Sequence, residues 1–267
     1  MIHENTLPDD LDKIMRQCPP DTVIGEFAGR DSVAAILKGM EQPEIHYVLP
    51  VVTFAPVEYG AAAVLEENYQ QLLRQSARQF GEQKSIGPLI YWSSQPFWQV
   101  LNGPYMARLQ RRYGFYTPCI ACHAYFHLVR MPLARQLGQV IISGERESHD
   151  GRLKANQLGI CLDSYQRIIS HFGVDLLIPL RHIKNGSEVE SLIGWEWAEG
   201  EAQPQCLFSG NERDAHGRAM VDNTRINVFL DGFLEPVCKA LGTLLLEKPE
   251  ATLQDLKRKI DSLEEIL

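Results

Sequence analysis

The feature that most constrains this chain is an alternation of short apolar runs with longer helix-like segments over about its first two thirds. The pattern predicts strands at 22–27, 46–54, 86–92, 140–144 and 174–180. It predicts helices at 32–40, 66–80, 97–113, 118–138 and 152–172. Strands that alternate with helices in this way form βαβ crossovers, so we expect an α/β fold with a parallel sheet flanked by helices.

Prolines should interrupt this pattern at two places. Pro50 lies inside the second expected strand, where it predicts a bulge because proline cannot donate to the strand ladder. Gly103-Pro104 should break or kink the helix expected over 97–113.

Beyond the last expected strand the chain becomes mainly helical. Helices are expected at 224–245 and 252–267, whereas 188–201 can be helix or loop. We therefore predict an α/β domain over residues 1–210 and a helical C-terminal extension over 211–267 that packs on it. The last helix is charged and amphipathic, so it can pack on the body or on a partner, which leaves a homodimer open.

Composition limits the classes of protein that the chain can belong to. With 267 residues it is long enough to bury the core of one large domain. A net charge of −8 disfavours broad, non-specific binding of nucleic acid. The first ten residues are acidic and polar, and no run approaches the roughly 18 apolar residues that would span a bilayer. We therefore expect a cytoplasmic protein with no membrane partner.

The turn after the first expected strand has the composition of a phosphate site. It reads Phe27-Ala28-Gly29-Arg30-Asp31-Ser32 and leads directly into a helix, whose free N–H groups and positive dipole end favour an anion. A helix start capped by Asp31 or Ser32 is the structural alternative. The candidate binding residues in this turn are Ala28, Gly29, Arg30, Asp31 and Ser32.

Two further strands end in polar or small residues that belong at the same edge of a parallel sheet. Thr53 ends the second expected strand, and Ser143 and Gly144 end the fourth. We add these three residues to the candidate binding set.

The phosphate turn resembles the SGGxDS loop of the PP-loop ATP pyrophosphatase superfamily. Gly29, Asp31 and Ser32 match that pattern, whereas Phe27 and Ala28 replace its serine and its first glycine. The resemblance implies a Rossmann-like fold of the HUP type, with ATP and Mg²⁺ bound at the loop. It also implies release of pyrophosphate while AMP is left on an acceptor.

Cysteine spacing points to a metal site. Cys119 and Cys122 are three residues apart at an expected helix start, so both thiolates can reach one metal, and Cys206 follows far downstream. Structural zinc bound by these three cysteines with His123 or His127 is one reading, because zinc accepts Cys₃His sets. For the remaining cysteines, buried thiols are the default.

The order of phosphate loop, CxxC and late cysteine is similar to that of the PP-loop tRNA thiolation enzymes. That resemblance implies that Cys119, Cys122 and Cys206 hold a [4Fe-4S] cluster, with zinc as the alternative. The family commonly places Gly-His-Asn and two aspartates after its fourth core strand, where this chain has Ser143-Gly144-Glu145-Arg146-Glu147-Ser148-His149-Asp150. We therefore expect a relative with its own substrate.

The charged loop over 143–150 supplies candidate catalytic residues. Arg146 or Lys154 could neutralise phosphate charge in the transition state, and Glu145 or His149 could move a proton. Asp31, Glu145 and Arg146 are therefore the predicted catalytic residues. Asn211, Glu212 and Arg213, which follow the third cysteine, are expected to line the same cavity.

Together these features predict an ATP-dependent enzyme that adenylates an acceptor and then transfers sulfur to it. The acceptor is a small molecule or tRNA, and a separate sulfur donor is required. An ATP-dependent amide or nitrogen ligase with structural zinc is the first alternative, and a nucleotide-binding regulator without turnover is the second.

Overall fold

A computed structural model describes residues 11–60, 63–114, 117–197, 200–210, 213–216, 220 and 222–263. Its strands are β1 (Val23–Glu26), β2 (Tyr47–Val52), β3 (Glu58–Tyr59), β4 (Ser85–Ile86), β5 (Ile90–Tyr91), β6 (Val140–Ile142), β7 (Asp175–Leu177) and β8 (Gln205–Cys206). Its α-helices are α1 (Leu11–Gln17), α2 (Arg30–Gly39), α3 (Ala63–Phe80), α4 (Gln95–Asn102), α5 (Met106–Tyr113), α6 (Pro118–Gln136), α7 (Gly159–Ser170), α8 (Gly186–Ile193), α9 (Asn223–Phe229), α10 (Glu235–Glu247) and α11 (Leu253–Asp261).

The main sheet is parallel and has the order β4-β2-β1-β6-β7, with β5 pairing beside β4 on the same side of β2. The predicted α/β fold, with a parallel sheet flanked by helices and a helical C-terminal region, is confirmed. The chain runs from β1 to one side of the sheet and then returns to place β6 on the other side. Ligands bind at such a reversal, outside the carboxyl ends of the two strands.

The two prolines have different outcomes. Pro50 does not make a bulge, because β2 is continuous and pairs in register with β1 through Gly25 and Pro50. On the other side β2 pairs with β4 at Val48 and with β5 at Val51. Pro50, which has no N–H to donate, therefore lies beside the gap between β4 and β5. The single strand expected at 86–92 is accordingly split in two. The break expected at Gly103-Pro104 is confirmed, since it separates α4 from α5.

Apolar side chains cover both faces of the sheet because successive strand residues point to opposite sides. On one face Ile24 belongs to a core cluster that includes α4, α6, α7 and α10. On the other face Val23 packs with α2, α3 and α8. Because α10 contacts α6 and α7, the described part of the C-terminal region shares the first of these cores.

The prediction of a helix over 152–172 is wrong for about the first third of that range. Residues 149–158 form a loop, with one short 3₁₀ turn at Ala155–Gln157, and α7 begins only at Gly159. Backbone hydrogen bonds between His149 and Arg152 close this loop, and Gly151 adopts a positive φ of 83° within it. The loop carries polar side chains toward the sheet edge instead of into a helix.

A small antiparallel ribbon of β3 and β8, absent from the sequence prediction, lies outside the main sheet. It pairs Glu58 with Cys206 and thereby brings a distant segment to the carboxyl end of β2. Within the described residues, no helix combines the length and apolar character needed to cross a membrane. The predicted helix over 252–267 is described only to residue 263, and its helical part ends at Asp261.

Candidate functional site

A cavity of about 440 Å³ opens at the carboxyl ends of β1 and β6, where the sheet order reverses. Segments from five parts of the sequence line it. They include Ala28, Gly29, Arg30, Asp31, Ser32, Cys119, His123, Gly144, Glu145, His149, Arg152, Lys154, Gln157, Gln203, Cys206 and Arg213. We call it the main cavity.

The loop over residues 27–32, for which the sequence predicts phosphate binding and which we call the phosphate loop, is shaped by its own serine. The Ser32 hydroxyl accepts hydrogen bonds from the N–H groups of Ala28 and Gly29, at 2.9 and 3.0 Å, and donates to the Gly29 carbonyl at 2.7 Å. The hydroxyl is therefore used to hold the loop rather than to reach a ligand. What the loop presents to the main cavity is the N-terminus of α2, where the helix dipole favours an anion.

Two glycines allow neighbouring segments to approach this loop closely. A Cβ atom on Gly144 would lie 2.6 Å from the backbone nitrogen of Ser32 and 2.9 Å from the carbonyl carbon of Asp31. A Cβ atom on Gly29 would lie 2.1 Å from Oε1 of Gln203. The loop after β6 therefore packs directly on the start of α2, and the segment before β8 covers the phosphate loop.

Asp31 is held by guanidinium groups. The Arg30 Nε atom lies 3.1 Å from Asp31 Oδ1, and the Arg146 Nε atom lies 2.7 Å from Asp31 Oδ2. Arg146 is fully buried and also donates through Nη1 to the carbonyls of Ser148 and Lys184, at 3.1 and 3.4 Å. Arg146 thus joins the phosphate loop to two other loops and does not line the main cavity.

Glu145 is the buried carboxylate of the charged loop. Its Oε1 atom lies 2.5 Å from His123 Nδ1, and its Oε2 atom accepts a hydrogen bond from the Gln157 amide. Burial by itself raises the pKa of Glu145, but the adjacent His123 and His127 outweigh burial and hold that pKa well below its usual range. Burial lowers the pKa of His123, and the Glu145 carboxylate more than offsets this and raises it. The two side chains form an ion pair in which Glu145 is buried and His123 is partly exposed.

Two of the three predicted metal ligands, Cys119 and Cys206, line both the main cavity and an adjoining cavity of about 90 Å³. We call the smaller one the cysteine cavity. Cys122 also lines the cysteine cavity, but it does not line the main cavity. The indole N–H of Trp98 donates to Cys122 Sγ at 3.1 Å, and the Phe208 N–H donates to Cys206 Sγ at 3.4 Å. Burial raises the pKa of the Cys122 thiol well above its usual value.

The three thiols share a cavity but do not meet at one point. Among the described residues, no group of three or more His, Cys, Asp or Glu side chains converges on a position for a single metal ion. Tetrahedral zinc requires its sulfur ligands to lie roughly 4 Å apart, because each Zn–S bond is about 2.3 Å long.

Glu58 lies where the two cavities adjoin, since it lines both. Its Oε2 atom accepts the Ala55 N–H at 2.6 Å. Burial raises the pKa of Glu58 to about 7, against the lowering effect of that hydrogen bond and of His123 and Arg130. Sequence reasoning did not assign Glu58 to the site, although its place directly after β2 was a usable signal.

Several predicted site residues lie off the main cavity. Thr53 is buried and donates to the Trp92 carbonyl at 2.8 Å, which ties β2 to the edge strand. Ser143 is buried beneath the loop after β6, where its Oγ accepts the Glu145 N–H at 3.3 Å. Arg146 does not line the main cavity, because its guanidinium is directed to Asp31 and to the carbonyls of Ser148 and Lys184. Of the predicted cavity residues 211–213, Arg213 lines the main cavity, whereas Asn211 and Glu212 lie outside the described residues.

Gln157 and Gln203 line the main cavity but were not predicted to be site residues. Both are uncharged, and Gln157 lay inside an expected helix, so the sequence carried no signal for either of them.

The fold and the site define an α/β protein with a Rossmann-like parallel sheet and a polar cavity at the reversal of strand order. The chain belongs to the same family as the uncharacterized protein MJ0009 of Methanocaldococcus jannaschii, to which it is 41% identical over 216 residues. The aligned region covers 81% of this chain and 78% of that protein. No protein-family model matches the sequence.

Proposed function

We propose that this protein is an ATP-dependent enzyme of the PP-loop type that adenylates an acceptor and then transfers sulfur to it. One observation carries the proposal: a single cavity is lined by the phosphate loop, by the charged loop after β6 and by two thiols from separate segments. Nucleotide activation and sulfur chemistry need such groups side by side.

The first step is attack by a carbonyl oxygen of the acceptor on the α-phosphate of ATP, which forms an acceptor–AMP ester and releases pyrophosphate. The N-terminus of α2 favours the phosphate charge. Lys154, Arg152 and Arg213 line the same cavity and supply cationic side chains for the triphosphate. Of the two residues that the sequence offered for neutralising phosphate charge, Arg146 and Lys154, we assign that role to Lys154.

The second step is attack by a sulfur nucleophile on the activated carbon, with loss of AMP. Cys119 and Cys206 border the main cavity, so a sulfur species held by them reaches the activated acceptor without leaving the site. The His123–Glu145 ion pair is neutral overall, so Arg152, Lys154 and Arg213 on the same lining are the groups that can balance the charge of the departing AMP.

The cysteine set fits an iron–sulfur cluster in donor chemistry, because Cys thiolates are the usual ligands of such clusters. Cys119, Cys122 and Cys206 would hold it, and when bound it would supply a site at which inorganic sulfur can be carried. A single zinc ion is less well supported, since the described residues offer no convergent set of three ligands.

Mg²⁺ enters as the complex with ATP. Asp31 is committed to Arg30 and Arg146, so the phosphate oxygens and water must supply most of the ligands of this ion.

Nucleotide binding and product identity test the first step. The full-length protein is expected to bind Mg-ATP by calorimetry and to convert it into AMP and pyrophosphate when tRNA or a pool of small molecules is added. Lys154→Ala should raise the Kd for Mg-ATP by about tenfold, because a charge-assisted contact is lost. Lys257→Ala, on exposed α11, is the matched control and should leave the Kd unchanged. Failure to bind Mg-ATP, or release of ADP and phosphate only, would contradict the proposal.

Metal analysis tests the second step. Protein purified without oxygen is expected to contain iron and acid-labile sulfide and to absorb broadly in the visible blue. Cys119→Ala and Cys206→Ala should each lose most of the iron and sulfide, whereas Cys238→Ala should retain them because Cys238 is buried in the core around α10. Unchanged metal content in the first two variants would rule out the three-cysteine site, and stoichiometric zinc without iron would favour the ligase alternative.

A further inference from the structure

A buried polar network links the two ends of the main cavity. Its centre is Gln157, whose side-chain amide donates through Nε2 to Glu145 and accepts through Oε1 from Nε2 of His149. All three residues are buried and all three line the main cavity. We call Asp31, His149, Gln157, Glu145 and His123 the polar network.

The ends of the polar network are the two functional elements of the site. At one end Glu145 lies 2.5 Å from His123 Nδ1, and His123 follows Cys122 in α6. At the other end His149 Nδ1 lies 3.8 Å from Asp31 Oδ2 in the phosphate loop, a distance that allows an electrostatic contact but is too long for a hydrogen bond. A continuous row of side chains therefore runs from the cysteine helix to the phosphate loop.

The amide at the centre gives this row a direction. A carboxylate only accepts hydrogen bonds, so Glu145 requires the NH₂ end of Gln157, which leaves the carbonyl end for an N–H of His149. The planar amide of glutamine or asparagine offers an NH₂ donor and a carbonyl acceptor side by side, and asparagine is one methylene shorter. Because an unmade hydrogen bond of a buried group costs about 1–3 kcal/mol, His149, Gln157 and Glu145 are constrained to move together.

We propose that Gln157 is a positioning residue that couples the phosphate loop to the cysteine site, so that occupancy of one alters the other. The inference rests on the proposed function, since it takes Mg-ATP as the ligand of the phosphate loop. Coupling between two sites is reciprocal, so occupancy of the cysteine site should change nucleotide affinity by the same factor as the reverse, and His123→Ala perturbs the connection from the cysteine side.

A double-mutant cycle on Mg-ATP affinity tests this coupling, with calorimetry on the full chain as the readout. His123→Ala is expected to raise the Kd about fivefold, and Gln157→Leu to raise it by a similar factor. In the Gln157→Leu background, His123→Ala should then have no further effect, because the connection is already broken. Direct contact between His123 and the nucleotide would leave the effects multiplicative.

The matched control is Gln166→Leu. Gln166 also bonds at both amide ends, to the Leu176 carbonyl and to Arg181, but it lies on α7 and does not line the cavity. His123→Ala should retain its full effect in that background. If Gln157→Leu does not fold, which a thermal melt would show, Gln157→Met serves in the same cycle, since its thioether keeps the length of the side chain but cannot donate to Glu145.

Each outcome decides a separate point. Multiplicative effects, or no effect of His123→Ala, would overturn the coupling while the wild-type affinity for Mg-ATP still supports the proposed function. Absence of Mg-ATP binding by the wild-type protein would overturn the proposed function, and the coupling with it.

Discussion

Replacing Gly144 by alanine is expected to lower the affinity for Mg-ATP by at least about tenfold and to destabilise the protein by about 2–3 kcal/mol. The added Cβ would lie 2.6 Å from the Ser32 nitrogen and 2.7 Å from its Cα atom, and both are backbone atoms at the start of α2. Neither can rotate away as the end of a side chain can. The loop after β6 or the phosphate loop must therefore move, and either shift changes the lining of the main cavity.

Calorimetry with Mg-ATP and unfolding in urea measure the two effects of Gly144→Ala. Gly159→Ala is the control, because a Cβ there would meet only the side-chain ends of Glu147 and Arg181, at 3.1 and 3.4 Å. Alanine also favours the helix that begins at this residue. A Gly144→Ala protein that binds Mg-ATP as tightly as the wild type would show that the close contact between these loops does not define the nucleotide site.

The largest loss of stability is expected from Arg146→Ala, at about 3–5 kcal/mol, the range for breaking a buried ion pair by removing one partner. Arg146 is fully buried, and its removal leaves the Asp31 carboxylate with one guanidinium partner fewer. The carbonyls of Ser148 and Lys184 lose a donor as well. The three loops that this side chain joins should separate, so Mg-ATP affinity should fall along with stability.

Chemical unfolding measures this cost, and Arg258→Ala is the control because Arg258 pairs with Asp255 on an exposed helix face and should matter little. Arg146→Lys should recover only part of the loss, since an ammonium keeps the charge without the planar fork of donors.

The double variant Asp31→Asn with Arg146→Ala should lose less stability than the sum of the losses in the two single variants. Strict additivity would mean that the pair is not coupled.

The fold was largely predictable because periodicity is a local signal. Each predicted strand of the main sheet is present, and the glycine–proline break before α5 appears where it was expected. The error at 152–158 has a cause beyond periodicity: Gln157 bonds to Glu145 and His149, 12 and 8 positions earlier in the chain, and these hydrogen bonds fold residues 149–158 into a loop. The ribbon of β3 and β8 was missed because two-residue strands carry no periodic signal.

The sequence predicted which loops form the candidate site, but not which side chains pair with one another within it. Parallel βαβ topology places the loops after β1 and β6 at one edge, so Gly29, Asp31 and Glu145 were placed by chain order alone. A buried arginine cannot be told from a ligand-binding one in a sequence, which is why Arg146 was expected to act on phosphate. Only the fold shows that its guanidinium is directed to Asp31.

The sequence by itself therefore determined the order of the elements and the polar turn at the start of α2, and it proposed the three cysteines as candidate ligands. The tertiary structure decided that Cys119 and Cys206 border one cavity, that Cys122 lies behind it, and that Gln157 joins Glu145 to His149. The reason is physical. Hydrophobic periodicity and turn residues act over a few positions, whereas the partners of a buried polar group come from whichever segments packing brings within hydrogen-bonding distance.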